Sequence, residues 1–304
     1  MLTILIPSYN HEKYIVDCIR AANQIDLPGK EIIVIDDGSV DRTVSTAEEY
    51  IKDQKIAAIR VLTKKNSGLV SSLNLGLEMA RTEFICLVAS DDILIPENVV
   101  KCVRFLQANR ECRFLIAGAR AFYDENNVER SVYGRRHNAF FKLEPNVRNR
   151  KMFFNYPNPI LLQSSVFRVK SLRDVGGWDT DLVLDDYPMF IKLFTSFPNR
   201  GTDFEFSPDI DVVRYRQHSN NSYRDILRQY FMVSQVVRKY ADTRIVDKAI
   251  SNSAANYFIS GFRKKNFRDS FRLFLELNGY CRLLLCFYVS KKVLLASIKR
   301  RPAK

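Results

Sequence analysis

EIIVIDDGSVDRT, residues 31–43, is an apolar run that halts at two aspartates, a glycine and a serine, just before a helix-like segment begins at Thr43. Ile and Val suit a buried strand, and the acidic turn is of the kind that also caps a helix. The same arrangement recurs on either side. LTILI at 2–6 runs into Pro7-Ser8-Tyr9-Asn10, AIRVL at 58–62 into Lys64-Lys65-Asn66-Ser67-Gly68, and FICLV at 84–88 into Ala89-Ser90-Asp91-Asp92. Helical patterns at 14–23, 43–52 and 69–80 fill the gaps. Strands alternating with helices at this spacing predict βαβ units and a mostly parallel sheet. A ligand of such a sheet lies beyond the carboxyl ends of its strands. Four polar clusters therefore meet at one edge.

Composition fits that reading. The 304 residues suffice for one large domain or two small ones. Hydrophobic residues at 46% and charged residues at 27% are globular proportions, which excludes disorder, collagen and repeat arrays. The net charge of +13 is unevenly placed. Residues 214–304 hold 20 basic and 5 acidic side chains, while residues 1–213 hold 27 and 29. A basic arm on a near-neutral body points to an anionic surface, membrane or nucleic acid. The six cysteines form no CxxC pair and several lie in apolar runs, so buried free thiols are expected. The N-terminus lacks a basic leader and a cleavage site, and no apolar run reaches the ~18 residues of a membrane span.

From about 113 to 211 the pattern is less regular. Strand-like runs occur at 114–117 and 160–167, a Gly-Gly-Trp-Asp turn at 176–179, and a helix start near Asp186, with Pro188 in its first turn. Beyond 222 the chain reads as basic, aromatic helix.

Each polar cluster has two readings. Neighbouring carboxylates at Asp91 and Asp92 repel unless a cation or strong donors satisfy them, and Mg²⁺ or Mn²⁺ would also hold a phosphate. Alternatively they are a solvated cap. Asp36-Asp37-Gly38-Ser39 either recognises a base or ribose or caps the next helix. Asp185-Asp186 either supplies a general base or an N-cap. His218 stands near the basic arm, and a lone histidine is more often a packing residue than a ligand. His11 and His137 stand in no constellation. Dinucleotide, P-loop, HExxH, GxSxG and Cys/His metal patterns are absent.

In this order the segments ILIPSYN (4–10), IDDGSVDRT (35–43), NSGLVSSLNLGLEMA (66–80), VASDDILIPE (88–97), GGWDTDLVLDDY (176–187) and YRQHSNNS (215–222) resemble glycosyltransferase family 2, the inverting GT-A enzymes. The resemblance covers about residues 1–222. It implies an α/β GT-A fold: a Rossmann-like, mostly parallel central sheet flanked by helices, with a basic helical C-terminal extension. Residues 1–112 would form the nucleotide-sugar half, 113–222 the acceptor half and 223–304 the extension.

The resemblance also implies roles. Pro7 and Asp37, with Tyr9 and Asn10 beside them, hold the uracil of a UDP-sugar. Asn66 and Gly68 form the loop over the nucleotide, and Asp91 faces the ribose. Asp92 binds Mn²⁺ or Mg²⁺, with His218 completing the metal or diphosphate site. Asp186 is the catalytic base, with Asp185 as the alternative. Trp178 and Asp179 lie on the acceptor side. Ala89 stands where the family often has the first aspartate of Asp-x-Asp-Asp, and Asp185 where it usually has glutamate.

The function so implied is transfer of a hexose or N-acetylhexosamine to a hydroxyl of a saccharide carried on undecaprenyl diphosphate, in bacterial O-antigen or capsule synthesis. The enzyme would be cytoplasmic and peripheral on the inner face of the plasma membrane, and a homodimer stays open. Phe258, Phe262, Phe267, Phe271 and Phe274, interleaved with Arg263, Lys264, Lys265, Arg268 and Arg272, read as one face of an interfacial helix. Packing on the catalytic domain is the alternative. A nucleic-acid-binding protein leaves the acidic clusters unexplained, a silent sugar-nucleotide-binding scaffold would fit Ala89, and a nucleotidyltransferase lacks its phosphate loop.

Overall fold

The computed structural model describes residues 1–123, 128–217 and 225–299. The chain divides into two compact units, Met1–Arg148 with Pro157–Ser219, and Asn149–Tyr156 with Asn220–Lys304.

The first unit opens as the alternation predicts. β1 (Leu2–Ser8), α1 (Ile15–Asn23), β2 (Glu31–Asp36), α2 (Thr43–Asp53), β3 (Ile59–Thr63), α3 (Leu69–Met79) and β4 (Phe84–Leu87) follow one another. β1, β2, β3 and β4 pair in parallel, in the order β3-β2-β1-β4. Ser8, Asp36 and Thr63 stand in one register line, so β1, β2 and β3 end together. That alignment puts three of the four polar clusters side by side. α3 lies close on the sheet: a Cβ at Gly76 would stand 2.2 Å from Leu5 Cδ1.

The second half of this unit reverses the sheet. β5 (Ile93–Leu94), α4 (Pro96–Ala108), β6 (Phe114–Phe122), β7 (Glu129–Ser131), α5 (Arg135–Phe141), α6 (Pro145–Phe154), β8 (Ser165–Arg168), α7 (Val169–Asp174), α8 (Asp186–Ser196) and β9 (Phe204–Arg216) complete it. β8 runs antiparallel to both β4 and β6, which extends the order to β4-β8-β6-β9-β5.

Two departures from the sequence reading have local causes. The run at 160–167 is only partly strand, because Leu162–Ser164 forms a 3₁₀ turn. The hydroxyls of Ser164 and Ser165 both donate to the Leu161 carbonyl, at 2.9 and 3.2 Å, offering the backbone an alternative to the ladder. β9 spans 13 residues in spite of Pro208. The register slips on either side of Gly118, and a Cβ there would lie 2.4 Å from the Pro208 carbonyl. A proline is tolerated at such a bulge because no ladder donor is required.

One core, built on Ile4, Ile6, Ile32, Val34, Cys86 and Val103, seats α1 and α4 against the sheet. Another is aromatic. Phe114 stacks on Phe204 at 5.1 Å, Phe141 on Phe206 at 4.0 Å, and Phe194 of α8 lies 5.1 Å from Phe204 and 6.0 Å from Phe114. The Arg148 guanidinium lies 4.9 Å over Phe204 and 5.4 Å over Phe194. Such pairs contribute about 0.5–1.5 kcal/mol each beyond burial and hold α8 in place.

The second unit consists of α9 (Ile226–Tyr240), α10 (Val246–Arg263), α11 (Phe267–Glu276) and α12 (Gly279–Lys299), with the end of α6. Tyr230, Val237, Ile250, Leu273, Leu277 and Leu285 form its core. The five phenylalanines do not make one helical face. α10 ends at Arg263, Lys265 takes a positive φ of 59°, and α11 begins at Phe267. Phe258 and Phe274 pack against the core, whereas Phe262, Phe267 and Phe271 are 49%, 56% and 62% exposed. All six cysteines are free thiols, five of them buried. Among the described residues no helix is long and apolar enough to cross a membrane.

Candidate functional site

The site grows from the ends of β1 and β2. The Asp37 amide donates to the Ser8 carbonyl at 2.8 Å, continuing the parallel ladder one step past the strand. Asp37 is then buried, and both its oxygens are occupied. Oδ1 accepts the Ser67 amide at 2.9 Å and the Lys64 ammonium, while Oδ2 accepts the Gly68 amide at 2.8 Å. This carboxylate clasps the β3–α3 loop across the edge of the sheet. Gly38 permits the close approach, since it has φ +73° and a Cβ would sit 3.0 Å from the Asn66 nitrogen. Asn66 and Gly68 are left exposed above the clasp.

The β1 loop docks on the same turn. Asn10, with φ +54°, accepts the Val40 amide at 2.9 Å and donates its own amide to Ser39 Oγ at 2.8 Å. Asp36 holds Ser39 in turn through the Ser39 amide at 2.8 Å and its hydroxyl. Pro7 is half-buried and Tyr9 is 45% exposed. Pro7, Tyr9, Asn10, Asp37, Asn66 and Gly68 thus line one edge.

β4 delivers the acidic pair to that edge. Asp92 is buried; its Oδ1 accepts the Arg216 amide at 2.8 Å and its Oδ2 the Gln163 amide nitrogen at 3.2 Å. Burial, and next the Asp91 charge, push its carboxyl well above the usual carboxylate range. The Arg216 side chain donates to the Asp91 carbonyl at 2.7 Å and lies 4.7 Å from both the Tyr14 and Phe122 rings. His11 joins the cluster: Nδ1 is 2.7 Å from Ser90 Oγ and Nε2 is 4.0 Å from Asp91 Oδ2.

These two carboxylates fit a divalent cation of the magnesium type. A buried acid whose charge is opposed by desolvation and a like neighbour is relieved by a hard cation. Among the described residues no group of three or more His, Cys, Asp and Glu converges. Mg²⁺-type sites commonly use one or two carboxylates and take their remaining ligands from water and substrate phosphate. His218 lies outside the described residues.

Asp185 and Asp186 open α8, above the aromatic core. The Asp186 carboxylate accepts the Tyr187 amide at 2.5 Å. Burial, then the Asp185 charge, raise Asp186 to about 8, and burial raises Asp185 as well. The 3₁₀ turn at Leu162–Ser164 is held from two sides. Gln163 reaches Asp92, while Tyr133 OH is 2.6 Å from Ser164 Oγ and accepts the Leu161 amide at 3.0 Å. Burial chiefly, with the Asp186 charge adding to it, pushes the Tyr133 hydroxyl up to about 12.

Trp178 and Asp179 take a structural place. Trp178 is 4% exposed, and its backbone exchanges two 2.8 Å bonds with the Asn74 side chain of α3. Asp179 pairs with Lys192 of α8 at 3.4 Å.

Sequence reasoning passed over His11, Lys64, Tyr133, Gln163 and Arg216. Lys64 and Arg216 lay inside the quoted clusters, and His11 directly follows Asn10. Tyr133 and Gln163 carry no local signal, since only the 3₁₀ turn brings them in.

Comparisons with known proteins bear on this edge. The family model described as Glycosyl transferase family 2 matches residues 3–169, more than half of the chain and every strand that bounds the edge except β9. The amylovoran biosynthesis glycosyltransferase AmsE of Erwinia amylovora is 25% identical over 198 residues, 64% of this chain and 70% of AmsE. The chain spans only 15%, 29% and 41% of the length of three further curated relatives. Among solved structures, S. aureus TarS with UDP-GlcNAc superposes with a TM-score of 0.58 at 17% identity, covering 93% of this chain and 78% of that one. The mannosyltransferase PcManGT of Pyrobaculum calidifontis, with GDP-Man and Mn²⁺, gives 0.56 at 15%, covering 98% and 86%. Both likenesses are of fold, and the fold is GT-A. With the family model running from β1 through β8 and the acidic pair at the end of β4, the chain belongs to glycosyl transferase family 2.

Proposed function

We propose that the chain is an inverting, metal-dependent glycosyltransferase. It would move a hexose or N-acetylhexosamine from a UDP-sugar to a hydroxyl of a saccharide carried on undecaprenyl diphosphate, in bacterial surface-polysaccharide synthesis. The observation that carries this reading is the coexistence of two distinct acidic pairs. Asp91–Asp92 follows β4, with Asp92 held by Gln163 and Arg216, and Asp185–Asp186 opens α8, where burial raises both carboxyls. Family membership and the AmsE relative support transfer into polysaccharide, and the TarS complex with UDP-GlcNAc supports a uridine donor.

In this reading Pro7, Tyr9, Asn10 and Asp37 frame the uracil, Asn66 and Gly68 cover the nucleotide, and Asp91 faces the ribose. Asp92, with His218, would hold Mn²⁺ or Mg²⁺, which supplies charge neutralisation for the departing diphosphate. Arg216 and Gln163 fix the Asp92 carboxylate through their hydrogen bonds. Asp186 takes the proton of the acceptor hydroxyl. That oxygen bonds to the anomeric carbon from the side opposite the diphosphate, the bond to UDP breaks with its electron pair leaving on UDP, and the centre inverts. A base near neutral pKa is well matched to this task, since it accepts a proton readily yet ionises near working pH. Trp178 and Asp179 serve the acceptor side as frame, holding α3 and α8 in register.

The exposed Phe262, Phe267 and Phe271, flanked by exposed Arg263, Lys264, Lys265, Arg268 and Arg272, form the membrane-binding face of the arm. Incubation with UDP-sugars and an undecaprenyl-linked acceptor, read by NMR of the product anomeric proton, tests the reaction. A product of inverted configuration agrees with the proposal; a retained configuration, or binding of UDP without transfer to any acceptor, contradicts it.

A further inference from the structure

At the sheet edge opposite the acidic pair lies a cavity of about 350 Å³ lined by Thr82, Glu83, Arg110, Arg113, Arg168, Val169, Lys170 and Arg173. Its position follows from topology. β8 runs antiparallel to β4 and β6, with Arg168 paired to Phe84 and Phe167 to Phe114, so its carboxyl end meets their amino ends. Asp91 and Asp92 follow the other end of β4.

Five cations and one carboxylate line this space. Two of the arginines are fixed by the fold. Arg168 donates from Nε to the Cys112 carbonyl at 2.9 Å and from Nη2 to the Leu106 carbonyl at 2.7 Å, and its Nη1 pairs with Glu83. Arg173 Nη2 donates to the carbonyls of Leu77 and Ala80 at 2.9 and 2.8 Å. Lys170 pairs with Asp174 at 2.6 Å. Arg113 lies 5.9 Å over the Phe197 ring, and among the described residues neither Arg110, Arg113 nor Arg173 has an ion-pair partner. Arg168 and Arg173 spend these donors on carbonyls, so Arg110 and Arg113 are the guanidiniums offered to an anion, and such forks suit phosphate oxygens. A volume of about 350 Å³ is room for a diphosphate and its hydration.

We propose that this cavity is a second anion site, which binds the phosphate or diphosphate group of a ligand other than the sugar donor. Its place behind the sheet keeps that ligand out of the transfer reaction, so it anchors or regulates. The site does not depend on the donor reading above. Phosphate chemistry could come from a soluble phosphorylated metabolite or from a phospholipid headgroup.

The test is calorimetric titration of the full chain with inorganic pyrophosphate in EDTA, which disarms the metal-dependent edge. Wild type is compared with R110Q/R113Q, with K170Q, and with K52Q/K142Q as a charge-matched control elsewhere; thermal melts confirm that each variant folds. The expected result is saturable binding in wild type and control, weakened about tenfold or more in R110Q/R113Q and less in K170Q. Sedimentation with phosphatidylcholine vesicles, with and without phosphatidylglycerol, identifies the source. Vesicle binding that R110Q/R113Q weakens beyond the control, and that pyrophosphate competes, supports a headgroup. Vesicle binding equal in the two, with pyrophosphate binding still lost in R110Q/R113Q, supports a soluble ligand. Pyrophosphate binding that is absent in wild type, or equally weak in control and R110Q/R113Q, overturns the proposal.

Discussion

Asp186 is the residue on which most chemistry is asked to rest, and its environment makes a definite forecast. A carboxyl raised to about 8 by burial and by Asp185 is mostly protonated at neutral pH. A base must be ionised, so kcat/KM should climb with pH and level off above about 8. Asp185→Asn removes the like charge, which should move that limb to lower pH; a profile that does not move would mean the charge is not felt. Asp186→Asn should cost about 10²–10⁴-fold in kcat with little change in donor KM. The linkage sign is equally specific. The folded carboxyl holds its proton up to about pH 8, whereas the unfolded one releases it near 4. Folding stability is therefore lost as pH rises between those values, and Asp186→Asn should melt higher than wild type above pH 8.

At the scale of elements, the alternation of apolar runs and polar turns made the parallel half of the sheet legible, because β1, β2 and β4 are buried on both faces and read as mainly apolar runs. Asp37, Asp91 and Asp92 were legible for the same reason: each lies within four residues of the end of such a run. The antiparallel half was not. β9 hides behind Pro208 and a bulge at Gly118, and the 3₁₀ turn that carries Gln163 is set by serine side chains rather than by periodicity. The Gly-Gly-Trp-Asp turn says nothing of depth; burial and the Asn74 bonds show Trp178 inside. The tight seat of α3 gives a further prediction. Gly76→Ala drives a methyl into Leu5, should destabilise by about 1–3 kcal/mol, and should lower the melting temperature accordingly. An unchanged melting temperature would show that α3 can lift from β1.

For the whole molecule, the uneven charge acquires a location. The acidic chemistry belongs to the first unit, and the exposed phenylalanines with their flanking cations belong to the second. Each Lys or Arg near an anionic bilayer contributes about 1 kcal/mol, and buried aromatic surface adds to it. F267S/F271S should leave folding intact, since both rings are more than half exposed, and should reduce sedimentation with phosphatidylglycerol vesicles. Equal sedimentation of variant and wild type would contradict a membrane contact through these rings. The central claim, however, concerns the acidic pair at the end of β4. Calorimetric titration of UDP with and without Mn²⁺, on wild type and Asp92→Asn, addresses it most directly. The account predicts metal-dependent binding in wild type that falls more than about tenfold in the variant. UDP binding that ignores both the metal and the substitution would contradict it.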